Sequence, residues 1–162
     1  PLVHTKASIM YGNDWAVVTE PTVVDGGAVP GTFESQSFPG GFSALDKYLM
    51  GVHGPEKVEP FYRIEATASV INAIYAAPGN TATGTKVAVT IDDVVLRNGA
   101  RVPAAAAAQT EFSGAFILIA EPGRRPTAAE LTAAEYMRKR IPEHFKTATD
   151  ERFAISTTPV RR

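Results

Sequence analysis

The segment FSGAFILIA, residues 112 to 120, is the most apolar stretch of the chain and constrains its fold more than any other. It is bounded by Glu111 and Pro122-Gly123 and is far shorter than the roughly 20 residues that cross a bilayer. Its length and boundaries predict a central buried strand.

At 162 residues, 44% hydrophobic, with a net charge of -1, the chain fits one soluble domain able to bury a core without disulfides. It has no basic excess to neutralise a phosphate backbone, so nucleic acid is not an expected partner, and no segment is expected to enter a membrane. The absence of cysteine excludes thiolate chemistry but leaves the compartment open. Pro1 is preceded by no initiator Met, charged n-region or apolar h-region, so the chain reads as a piece of something longer.

Residues 1 to 41 are rich in turn formers, including Gly12-Asn13-Asp14, Asp25-Gly26-Gly27 and Pro39-Gly40-Gly41, and only WAVVT (15–19) and TVV (22–24) read as strands. The expected organisation is a loop-rich segment over 1–41, completing an upstream half, and an α+β domain over 42–162. In FSALDKYLMG (42–51), Ser43 and Asp46 have capping-box spacing, Leu45, Tyr48 and Leu49 share a helical face, and Gly51 marks the stop. FYRIEATASVINAIY (61–75) favours a strand, APGNTATGT a polar hairpin-like loop, and KVAVT (86–90) a strand. Thr90 caps a helix over IDDVVLRN, and Thr127 with Glu130 opens the longest helix, which Pro142 is expected to kink or split. RFAIST (152–157) reads as a closing strand. The fold class is therefore α+β, with a small mixed sheet and two or three helices.

No self-contained catalytic constellation is legible. The three histidines, His4, His53 and His144, show no H-E-x-x-H or H-x-H spacing, and each reads first as a surface or capping residue. Neither a G-x-S-x-G elbow nor a P-loop occurs. Asp92-Asp93 reads as a pair favoured by the helix dipole rather than an acid-base couple. Tyr48 or Asp46 facing a ligand is the functional reading of 42–51, and a capped helix with Leu45 and Leu49 buried is the plainer one.

SIMYGNDW (8–15), FSALDKYLMG, PEKVEPFYRI, TGTKVAVTIDDVVLRNGARVP, AQTEFSGAFILI and RKRIPEHFKTATDERFAISTT follow one another in an order that resembles a family of uncharacterised, secreted bacterial proteins similar to zinc metallopeptidases. The resemblance covers nearly the whole chain from about residue 8. It implies an H-E-L-G-H helix upstream, absent here, with His4 near the position of a third zinc ligand and Met10 beneath the site. It further implies zinc as cofactor only when the upstream half is present, Tyr48 as a catalytic oxyanion stabiliser, a peptide substrate, and a secreted or cell-envelope location. The chain alone is expected to be inactive. The alternative is a non-enzymatic binding or structural module with a metallopeptidase-like fold.

Overall fold

Short β-branched and aromatic segments, separated by turn formers, pair into antiparallel ladders in the first part of the chain. The computed structural model describes residues 2–4, 14–36, 41–66 and 78–158. Two units divide the chain, Pro1–Ala106 and Ala107–Arg162.

The first unit contains strands β1 (Leu2–His4), β2 (Trp15–Thr19), β3 (Thr22–Val24), β4 (Gly27–Val29), β5 (Gly31–Ser35), β6 (Phe61–Ala66) and β7 (Thr81–Val89). Five of them form one sheet in the order β1-β6-β7-β5-β2, antiparallel throughout. β3 and β4 form a separate hairpin closed by Asp25 and Gly26, both at positive φ, as the two-residue turn between twisted strands requires.

This arrangement corrects the expected boundary at residue 41. Phe33 of β5 pairs directly with Ala82 of β7, so residues on both sides of that boundary share one sheet, and the division falls after Ala106 instead. The N-terminal third also holds more strand than its turn formers suggested. Gly27–Val29 and Gly31–Ser35 each open with a glycine, which weakens a strand, and both are held by their partners' hydrogen bonds. A Cβ on Gly31 would lie 2.5 Å from the Thr19 carbonyl oxygen, so the close approach of the β2 end admits glycine alone.

Register sorts the side chains between two faces. Trp15, Phe33, Ile64 and Ala82 are buried on one, with Val17 and Tyr62 packed against them. On the other, Phe61 and Val89 meet α1 (Ala44–Met50) and α2 (Ile91–Asn98), where Tyr48 and Val58 are buried and Leu45, Val94 and Val95 half-buried. Burying a large apolar side chain stabilises by about 1.5–3 kcal/mol, so Phe33 and Ile64, both fully buried, anchor the first face. The loop expected over APGNTATGT is largely strand, because β7 begins at Thr81 and continues through the expected KVAVT segment. β6 accounts for the first part of the strand expected over 61–75, and residues 67–75 of that prediction lie outside the described residues.

The second unit is a strand-helix-strand unit. β8 (Glu111–Ser113) and β9 (Ala154–Ser156) pair in parallel, and α3 (Ala128–Ala148) connects them, as parallel neighbours require a crossover. Phe112, Phe145 and Phe153 cluster with ring centroids 5.3–6.3 Å apart, and Phe153 is fully buried.

Two expectations fail in this unit. The apolar run does not form a central strand: regular pairing stops at Ser113, and Ile117 and Ile119 are 83% and 86% exposed. β9 ends at Ser156, and no described strand pairs with residues 115–120. The second is the split expected as one outcome at Pro142, which neither ends nor divides α3. Proline cannot donate to the carbonyl four residues earlier, that of Arg138, and the Thr157 hydroxyl donates to it instead at 2.9 Å.

Candidate functional site

Among the described residues, three places that gather polar or exposed apolar groups stand out, and the first is the 42–51 segment. Ser43 Oγ accepts from Asp46 N at 3.2 Å, while the Asp46 carboxylate accepts from Ser43 N at 3.0 Å and from its hydroxyl at 2.7 Å. The reciprocal box sets the start of α1, and Gly51 in the left-handed region ends it. Tyr48 is buried, and its hydroxyl accepts the Arg101 N–H at 3.1 Å. Arg101 in turn donates from Nε to Leu49 O at 2.9 Å, from Nη2 to Met50 O at 3.0 Å, and from Nη1 to Pro103 O. These bonds tie the last carbonyls of α1 to a chain segment some fifty residues away. Leu49, expected to be buried beside Leu45, is instead 54% exposed, so Tyr48 is the principal anchor of this helix. Sequence reading missed Arg101, whose partners are backbone atoms and leave no trace in side-chain spacing.

The histidines lie on three separate elements or loops. His4 belongs to edge strand β1, in register with Arg63. His53 has Nδ1 2.9 Å from Gly54 O, the geometry of an N–H donor to that carbonyl, and His144 is exposed on α3. Among the described residues no cluster of three histidines, cysteines, aspartates or glutamates exists to hold a metal ion. Met10 lies outside the described residues. The donor set therefore does not by itself fit a zinc centre.

A second place is a groove of about 260 Å³ in the first unit, between α2 and the β6–β7 ladder. Phe61, Val87 and Val94 supply apolar walls, and Arg63, Asp93 and Arg97 bring charge to it. Asp93 caps α2: its carboxylate accepts from Thr90 N at 2.8 Å and from the Thr90 hydroxyl at 2.7 Å, and these bonds hold its pKa below the usual value, with Arg97 adding a smaller contribution. Asp93 is thus the acid of a capping box, and Asp92 lies beside it in the first turn of α2, where the helix dipole favours a carboxylate.

The third place is the exposed face of the second unit. Phe116, Ile117 and Leu118 lie along a groove with Leu131, Ala134 and Met137 of α3. Exposure alternates along the run, 42% and 41% at Phe116 and Leu118 against 83% and 86% at Ile117 and Ile119, as in an extended segment with one side turned to the helix. Charged groups rim α3. Arg124 grips Glu130 through two bonds of 2.8 and 2.9 Å, and this pairing, with the Thr127 cap, lowers the Glu130 pKa to about 2. Arg138 does the same for Glu135, lowered to about 2 by that pairing first and by Lys139 in smaller part.

The class these observations define is an α+β protein of two units. Comparison of the chain with known protein families, with curated proteins and with solved structures finds no match in any of the three. No described helix is long and apolar enough to cross a membrane.

Proposed function

We propose that this chain is the C-terminal portion of a secreted zinc-metallopeptidase-like protein, inactive by itself, with the metal-binding helix supplied by an upstream half or a companion chain. The observation that carries this reading is the bare apolar face of the second unit. Phe116–Ile119 and the exposed Leu131 and Met137 of α3 form the kind of contiguous surface that soluble proteins cover with a partner. The order of the sequence segments that resemble the family supports it as well. Under this reading His4 joins zinc ligands from the upstream half, Tyr48 serves the cleft, and the substrate is a peptide. No chemical step is assigned through the metal, because the residues described here do not make its site.

A second reading, a non-enzymatic binding or structural module, is favoured by one feature: Tyr48 has its ring buried and its hydroxyl engaged with the Arg101 backbone, a structural role. Intact mass and N-terminal sequencing of the protein from its native source, followed by zinc analysis, separate the two. A longer chain with H-E-x-x-H ahead of Pro1 and stoichiometric zinc is the result the first reading expects. A native chain that starts at Pro1, has no such companion and contains no zinc would leave only the module.

A further inference from the structure

We propose that the groove between α2 and the β6–β7 ladder is a binding site for a small carboxylate carried on an apolar body. Apolar walls with a few placed polar groups are the usual make-up of a small-molecule site, and here Phe61, Val87, Val89 and Val94 form the walls while Arg63 and Arg97 supply the cationic end. The Arg63 Nε is closed to solvent and has no hydrogen-bond partner among the described residues, while Nη2 of the same guanidinium donates to Glu65 at 2.6 Å. The guanidinium lines the groove, and its Nη1 makes no hydrogen bond with a described residue. The nearby anions are already engaged. Asp93 is held by Thr90, and Glu65 by Arg63 itself. The Arg97 side chain makes no hydrogen bond or ion pair with a described residue, and its charge acts on Asp93 one helix turn away. A carboxylate at the arginine end of the groove pairs with these guanidinium groups through charge-assisted bonds, and its apolar body covers the valines.

The ligand chemistry has two sources, a free aliphatic acid and the C-terminal residue of a peptide, and octanoate and N-acetyl-leucine represent them. Titration of the ¹⁵N-labelled full chain with each, followed by amide chemical shifts, is the test. Expected are shifts confined to the groove around Phe61, Val87, Val94 and Arg97, and affinity rising about fourfold per methylene from butanoate to hexanoate. Octan-1-ol should bind about tenfold more weakly than octanoate, and Arg63→Gln and Arg97→Gln should each weaken the acid about tenfold. The tighter of the two probes names the source. Absence of groove shifts with both acids at millimolar concentration, equal binding of octan-1-ol, or undiminished binding in Arg97→Gln would overturn the proposal. Arg97 is exposed, so its variant keeps the test decisive even where Arg63→Gln disturbs the sheet. The outcome is independent of whether the chain belongs to a peptidase.

Discussion

The Thr157 hydroxyl donates to the Arg138 backbone carbonyl at 2.9 Å, and Arg138 Nη1 returns a bond of 2.8 Å to the Thr157 carbonyl. Arg138 O is the carbonyl that Pro142 cannot serve, so a residue beyond the end of β9 repairs the defect inside α3.

Replacing Thr157 with Val should therefore destabilise the protein by about 1–2 kcal/mol, since a partly buried carbonyl loses its donor. In a Pro142→Ala background the helix regains its own N–H, and the same replacement should cost distinctly less. A double-mutant cycle by urea denaturation measures the coupling, expected near 1 kcal/mol. Strictly additive costs would mean that the hydroxyl does not stand in for the missing amide.

Tyr48→Phe removes the acceptor for Arg101 N–H and should cost about 1 kcal/mol in denaturant melts of this chain. In the protein joined to its upstream half, a catalytic Tyr48 predicts in addition a fall in kcat of tenfold or more at temperatures where the variant stays folded. A stability loss with kcat unchanged assigns Tyr48 to architecture only.

Acid should loosen α3 late. Glu130 and Glu135 have folded pKa values lowered to about 2 from 4.5, so the stability they contribute is fully present above about 4.5 and is lost as pH falls toward 2. Both pairs are exposed and screened by salt. Far-ultraviolet circular dichroism should show helicity declining in that window, less steeply in Glu130→Gln, and the effect should shrink in 1 M salt.

Ile117→Lys and Ile119→Lys alter exposed positions and should leave the stability of this chain within about 0.5 kcal/mol. Solubility should rise, and association with the upstream half, expressed separately, should weaken at least tenfold. Unchanged association would remove the apolar run as the covered face.

Much of the local structure was legible because its causes are local. The capping boxes of α1 and α3 and the Thr90 cap of α2 were readable from residues a few positions apart, since the partners lie within one helical turn. Of the candidate sites, Tyr48 was legible as a residue but its bond with the Arg101 backbone was not, and the Arg63–Arg97 groove was not legible at all. Arg63 is on a strand and Arg97 on a helix, and nothing in spacing brings such elements together.

The amino-acid pattern by itself determined the α+β class, the helix starts and which residues are apolar, because backbone sterics, capping and side-chain chemistry act over a few residues. Tertiary structure decided the rest. Pairing of β5 with β7 drew β2 and β5 into the same sheet as β6, a hydroxyl from beyond β9 let a helix run through Pro142, and the most apolar segment pairs with no described strand. Hydrophobicity sets a demand for burial, but a strand exists only where another strand's hydrogen-bonding groups meet it, and that is a property of the assembled chain.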